Sequence, residues 1–400
     1  LETIREYAGE KLVERGEEEE VRAAHAAYFL QLAETAEAEL QGPGQAAWLV
    51  RLDGELDNLR AVLSWYLDQG KSEQALRLAS ALYRFWSTRG YWSEGRRWLE
   101  DGLANGEDAT GAVRATAIWR LGSLVISIGD LERARRLEEE ALGLFQALGD
   151  RNGLAGTLNA LGMIADEGGN YDVATERYQA CLELYRGLGD ARGTAAALVN
   201  LGVVSAARLD HDEAKRLYEE ALPLCRQIGD RRTLGTCLNN LGVTARAQGN
   251  LEEARGRFEE SLVVSRELGR KDAIAFTLGN LAGVELQQGA YGPAADGLRE
   301  SLLLSRELGD LDVMLALLGG TAELAVVVGA FERAACLGGA ETALRQVSGI
   351  ARQGNDRAGW DRTMERAHRE LGEEEWNRAW AAGQAMSLDD VLAYALDEKL

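Results

Sequence analysis

One short design recurs at one spacing along this chain. RLGSLVISIGDLERA, beginning at Arg120, returns as ALGMIADEGGNYDVA at Ala160, NLGVVSAARLDHDEA at Asn200, NLGVTARAQGNLEEA at Asn240 and NLAGVELQQGAYGPA at Asn280. The five starts are 40 residues apart without a slip. Self-similarity at a period of this size marks a solenoid, because each supersecondary unit carries an apolar face that only stacked neighbours can bury. Only three of the 400 residues are proline, and Ala, Leu, Glu and Arg are plentiful, so the units are helical. The expected fold class is all-α, a right-handed α-solenoid.

Punctuation within each unit sets the helix ends. Gly129, Gly169, Gly249, Gly289 and Gly329 close a first helix, since glycine enters the left-handed C′ conformation without strain. Asp130, Asn170, Asp210 and Asn250 follow, and their short polar side chains suit the N-cap of a second helix. That helix ends at Gly149, Gly189, Gly229, Gly269 and Gly309, and Asp150, Asp190, Asp230 and Asp310 open the next unit. Inside each unit Leu121, Leu161, Leu201, Leu241 and Leu281 precede a small residue, Gly122, Gly162, Gly202, Gly242 or Ala282. Thirteen residues after each leucine stands Ala134, Ala174, Ala214, Ala254 or Ala294, and Tyr178, Tyr218 and Phe258 fill the gap one turn on.

This Leu-Gly, Ala and Phe/Tyr pattern resembles the tetratricopeptide repeat. The usual period is about 34 residues. The longer period here is similar to the long-helix subclass seen in kinesin light chains and many bacterial regulators. The pattern is clearest over residues 111–310 and weaker over 311–348, where Thr321 and Ala322 replace Leu-Gly. A degenerate unit covers 73–105, where RGYWSEGRRWLEDGL parallels IGDLERARRLEEEAL.

The flanks carry a second resemblance. ETIREYAGEKL and RAAHAAYFLQLAE, then LDNLRAVLSW and RFWSTRGYWSEGRRWLE, and finally GGAETALRQVSGI and WNRAWAAGQAMSLDDVLAYALDE follow in an order that resembles bacterial STAND-type predicted-ATPase regulators. In that family an NB-ARC-like nucleotide-binding domain and a winged helix precede a tetratricopeptide array. The resemblance implies that 1–16 is a winged-helix remnant, 17–72 a helical adaptor, 73–348 the repeat solenoid and 349–400 a C-terminal helical cap. It also implies that ATP or ADP and Mg belong to a domain upstream of Leu1, with no cofactor in these 400 residues. Gly70-Lys71-Ser72 is no phosphate loop, because Trp65 stands where a P-loop needs its first glycine.

Composition bounds the rest. Against 65 acidic residues stand 44 Lys and Arg, a net charge of −21, so the segment repels phosphate backbones and is no nucleic-acid surface. No run approaches a membrane span, and Cys181, Cys225, Cys237 and Cys336 show neither CxxC pairing nor a histidine at ligand spacing. Buried thiols in a reducing cytoplasm are the expectation. His25, His211 and His368 are scattered, and no nucleophile or metal constellation surrounds them, so no catalytic or metal residue is expected. The Glu17–Glu20 run suits a helix N-terminus.

Two candidate sites stand out. Asn200, Asn240 and Asn280 precede the Leu-Gly or Leu-Ala pair on the first helices, with Asn159 and Asn239 one position earlier, and Arg246 adds a cation. Amides in a groove can grip the backbone of an extended peptide, or can bond neighbouring helices and hold the stack. Cations there are limited to Arg246 and Arg120, too few for a terminal-carboxylate clamp. Tyr83, Trp86, Trp92 and Trp98, with Phe85 and Tyr91, form either an effector pocket or the packed junction of adaptor and first repeat. Trp360, Trp376 and Trp380 suit a cap over the last apolar face. The functional expectation is a non-catalytic sensor and protein-interaction arm of a cytoplasmic STAND transcriptional regulator. It would bind a protein, peptide or small-molecule effector and oligomerise through the full-length protein. The alternative is an autonomous scaffold that binds extended peptides in its groove.

Overall fold

The structure, a computed structural model, describes residues 11–42, 44–106, 109–350, 352 and 354–397. Most of the expected winged-helix remnant, residues 1–10, lies outside the described residues. Among the described residues every regular element is an α-helix. The chain divides into two compact units, Leu1–Asp210 with Pro223–Asp230, and His211–Leu222 with Arg231–Leu400.

The first unit opens with α1 (Glu18–Glu39), α2 (Gln45–Gly54), α3 (Leu56–Asp68), α4 (Ser72–Ala81), α5 (Tyr83–Arg89) and α6 (Trp92–Ala104). Glu18, Glu19 and Glu20 occupy the first turn of α1, where negative charge offsets the exposed N–H groups. Leu82 breaks α4 from α5, and the GKS turn joins α3 to α4. Helix pairs follow: α7 (Gly111–Ile128) with α8 (Leu131–Leu148), α9 (Arg151–Glu167) with α10 (Tyr171–Leu188), and α11 (Ala191–Ala207). Helix α7 packs on α8 and α9 on α10, and α7, α9 and α11 each pack on the preceding second helix, which is how stacked hairpins bury faces that none could bury alone. The 18 residues of α7 reach a mean hydropathy of 1.2, a composition that could cross a membrane. Its Ala117, Leu121, Leu124 and Val125 are spent on this core instead, together with Leu59, Leu63, Leu76, Phe85, Trp86 and Leu161.

Caps and glycines act where the pattern places them. Asp130 accepts from the Arg133 N–H, Asp150 from Asn152 and Gly153, Asn170 from Val173, and Asp190 from Arg192 and Gly193. Such caps contribute about 1 kcal/mol each. Gly129, Gly169 and Gly189 all take positive φ. The turn after α11 departs from the rule: Leu209 fills the glycine position with φ +65°.

Helix α12 (His211–Ile228) carries Pro223 inside it, and its two parts group with different units. The second unit continues with α13 (Arg231–Ala247) and α14 (Leu251–Glu267), α15 (Lys271–Gln287) and α16 (Tyr291–Leu308), and α17 (Leu311–Val327) and α18 (Phe331–Ser348). Here one expected cap is made and another is not: Asp310 accepts from the Val313 N–H, but Asn250 makes no side-chain cap bond. Arg270, Ala290 and Ala330, where no cap was expected, stand at three further starts. Buried serines tie the stack instead: Ser261 Oγ donates to the Gly235 carbonyl at 2.9 Å and Ser301 Oγ to the Ala275 carbonyl at 2.6 Å.

Three further helices, α19 (Gly354–Leu371), α20 (Glu373–Gln384) and α21 (Leu388–Leu396), close the second unit. Trp360, Trp376 and Trp380 pack on the apolar cluster of α17 and α18. The backbones of α18 and α20 touch, since a Cβ on Gly339 or Gly383 would collide with main-chain atoms of the other helix. Arg333 of α18, itself buried, donates to the carbonyls of Tyr394, Ala395 and Asp397 at 2.8–3.1 Å and so caps the C-terminal end of α21.

Candidate functional site

The first helices of the hairpins carry the amide candidates, and the structure pairs them within each unit. In the first unit Asn200 Nδ2 donates to Asn159 Oδ1 at 2.8 Å, joining α11 to α9, and the Asn159 amide lies 3.7 Å from Met163 Sδ. In the second unit Asn280 Nδ2 donates to Asn239 Oδ1 at 3.3 Å, joining α15 to α13. The Asn239 amide in turn lies 3.5 Å from Asn240 Oδ1. Each bond spans 41 residues, so an amide meets the position one earlier in the preceding repeat. Asn239 is buried, whereas Asn159, Asn200, Asn240 and Asn280 are half-buried and keep donor or acceptor capacity toward solvent.

Arg246, at the C-terminal end of α13, lies across α15, where a Cβ on Gly283 would come within 2.6 Å of its guanidinium. It has no ion-pair partner among the described residues, and Phe276, also on α15, is half-exposed. Unlike Arg246, Arg120 is engaged. Its guanidinium donates to Glu37 Oε1 of α1 at 3.0 Å and stacks 4.0 Å from the Trp119 ring and 4.9 Å from Tyr83.

The four aromatic candidates differ in their surroundings. Trp86 is fully buried in the core, and Trp92 is 39% exposed with its indole N–H on the Ser87 carbonyl. The Trp98 N–H lies 3.4 Å from Glu94, whose two oxygens accept from Nε and Nη2 of Arg60 at 2.7 Å each. That bidentate contact keeps the Glu94 carboxyl below the ordinary carboxylate range. An open hollow of about 400 Å³ lies elsewhere, among α1, α3 and α4, and none of the four lines it. Its walls include Leu30, Gln31, Trp65, Tyr66, Lys71 and Gln74, with Lys71 Nζ 4.3 Å above the Trp65 ring.

All four cysteines are buried free thiols. Burial pushes Cys181 up to about 12 and Cys225 up to about 11, so neither is a thiolate nucleophile near neutral pH. Among the described residues no three His, Cys, Asp or Glu side chains converge as a metal site.

The residue that motif matching passes over is Glu138. It takes the place of Tyr178 and Phe258 in the 40-residue register and is 0% exposed. Burial raises its carboxyl well above the usual range, with Ser123 and Arg120 acting weakly in the opposite sense. An acid in a column of Tyr178, Tyr218, Phe258 and Leu298 was the available signal.

Residues 113–187, 193–267 and 240–307 match the family model of the tetratricopeptide repeat. These are tetratricopeptide repeats. Proteins of Mycobacterium bovis and Mycobacterium tuberculosis, provisionally named HTH-type transcriptional regulators, are 33% identical over 174 residues. The match covers 40% of this chain and 19% of theirs, so the chain spans about a fifth of the length of these relatives. Among solved structures, a STAND protein with a tetratricopeptide-repeat sensor from Pyrococcus horikoshii aligns with a TM-score of 0.56 at 15% identity, over 85% of this chain and 54% of that one. A Rap protein complexed with competence and sporulation factor aligns with a TM-score of 0.54 at 15% identity, over 91% and 99%. At such identities the likeness establishes the fold: a tetratricopeptide-repeat α-α superhelix.

Proposed function

We propose that this chain is the sensor and protein-interaction arm of a STAND-type regulator, with the nucleotide switch and the output domain in other parts of the polypeptide. The observation that carries the reading is the match to far longer proteins named as transcriptional regulators. The likeness to a STAND protein with a repeat sensor supports it at the level of fold. On this reading the arm is non-catalytic and cytoplasmic. It binds a protein, peptide or small effector rather than nucleic acid, and biases the nucleotide state and oligomerisation of the whole protein. Effector binding must favour one arrangement of arm and ATPase, since a ligand with equal affinity for both shifts nothing. The domain division proposed is 1–16, 17–72, 73–348 and 349–400, as the flanking segments imply. The test is made on the complete polypeptide. Its coding sequence before Leu1 should encode a P-loop, and deleting residues 73–348 should change nucleotide turnover. The absence of a P-loop, or turnover indifferent to the deletion, overturns the reading.

One observation favours the scaffold alternative. Arg246 is half-buried, lies over Gly283 without an ion-pair partner among the described residues, and shares these helices with amides that have spare capacity. A peptide carrying a carboxylate would satisfy both. Loss of peptide capture in an Asn200/Asn240/Asn280→Ala variant, in a protein whose gene starts at this segment, would establish it.

A further inference from the structure

Glu138 and Arg120 make a polar island in the first hairpin of the array. Glu138 sits on α8 where α10 has Tyr178, α14 has Phe258 and α16 has Leu298. Its Oε1 lies 3.5 Å from the Ser123 hydroxyl of α7, and its Oε2, buried, has no hydrogen-bond partner. A Cβ on Gly122 would come within 2.5 Å of Oε1, so the carboxyl lies directly against the α7 backbone. The charged group that acts on it is Arg120, two residues before Gly122 on α7. Arg120 is nine-tenths buried, its Nε has no hydrogen-bond partner, and its one ion pair among the described residues is to Glu37 of α1.

The other charges around α8 are engaged with different partners. Arg133 pairs with Glu100 of α6, Arg135 with Glu132 and Glu139 at 2.9 and 3.1 Å, and Arg114 of α7 with Glu140 at 3.6 Å. No charged group of α9, the next helix packed on α8, acts on Glu138. On its other side Arg120 faces the rings of Tyr83 and Trp119, and with Arg84 of α5 it acts on the Tyr185 phenol of α10.

We propose that Arg120 is a cation shared between two carboxyls and that α1 is a releasable strap: docked, its Glu37 keeps Arg120 from Glu138; released, it hands Arg120 to Glu138. In the docked state Glu138 is an uncharged acid. On release it gives its proton to solvent and forms an ion pair with Arg120, while Glu37 becomes a solvated carboxylate. The docked state therefore binds one more proton than the released state. Docking is favoured as pH falls and weakens as pH rises.

Hydrogen exchange on the full chain at pH 6 and pH 8, with each amide rate divided by its intrinsic rate, tests this. Protection of α1 should fall with rising pH by up to about tenfold per pH unit, the limit for one linked proton. Protection of α15 and α16 should not change. Glu138→Gln, which keeps a polar contact for Ser123 but cannot ionise, should abolish the pH dependence. Glu37→Gln should lower α1 protection at both pH values. If Glu138→Gln does not fold, Glu138→Leu, the residue type at position 298, serves instead. The proposal is overturned if wild-type α1 protection is the same at both pH values or if the Glu138 variant keeps the wild-type slope. Loss of protection shared by every helix of the first unit also overturns it, since a buried acid that merely weakens the whole fold would act so.

Discussion

Hairpins α7/α8 and α9/α10 follow one template and differ in what fills it. Both oppose a glycine on the first helix to a large side chain on the second: Gly122 to Glu138, Gly162 to Tyr178. Both cap the second helix with a short polar residue, Asp130 or Asn170. The shared features fix where the backbones run, because a glycine at the crossing lets the helices approach and a cap marks where the chain re-enters a helix. The differing residue decides how much the arrangement stabilises. A phenol ring in the slot buries apolar area, whereas a carboxyl there leaves one oxygen unpaired, and burial disfavours its charged form. Small residues specify the packing, and the filler sets its worth.

Emptying the aromatic slot tests the comparison most severely. Tyr178→Ala should cost about 3–5 kcal/mol, as for other large buried side chains, measured by urea unfolding. A cost below that of an exposed control would mean that the ring does not hold α9 against α10. Filling the polar slot should do the reverse. Glu138→Leu should stabilise by about 1–3 kcal/mol at pH 7, by removing a buried unsatisfied oxygen. The sign with pH follows from the raised carboxyl: the wild type loses stability as pH rises above the unfolded-state value of an ordinary glutamate, and leucine has no such loss. The gain should therefore shrink at pH 5 and grow at pH 8, and a gain constant with pH would show that Glu138 is not the titrating group.

Smaller effects probe the next positions of the template. Asn200→Ala removes the bond to Asn159 and should lower stability by about 0.5–1.5 kcal/mol. No change in the thermal midpoint would free that amide from a stacking role and leave ligand binding as its use. Leu209 is 58% exposed and occupies a turn position where the other repeats have glycine. Leu209→Gly should stabilise by about 0.5–1 kcal/mol, with relief of the left-handed strain outweighing the added freedom of the unfolded chain. Any destabilisation would show that the leucine makes contacts worth more than its strain.

The repeat boundaries were legible because they rest on backbone chemistry. Gly129, Gly169 and Gly249 have positive φ, and the Leu-Gly steps sit at helix crossings, properties that residue type alone dictates. Asn250 shows the limit of such reasoning. It is a fitting cap by type, yet it makes no cap bond, whereas Asn170, behind the same kind of glycine one position earlier, does. The amide candidates were legible as a row but not as bonded pairs, because a 41-residue partner follows from how the helices stack rather than from the 40-residue period. Glu37 and Arg120 are 83 residues apart, and no periodicity connects them. Arg333 was invisible for another reason: it binds main-chain carbonyls, which leave no mark on the sequence of α21.

The unbroken 40-residue spacing has a mechanical consequence. A chain drawn out from its ends would surrender one hairpin at a time, and each would release the same 40 residues, roughly 140 Å of extended polypeptide at ~3.5 Å per residue. Step length would be uniform along the array, while the force of each step would report its filler, highest for an aromatic slot and lowest where Glu138 stands. Extension would count the repeats, and tension would tell them apart.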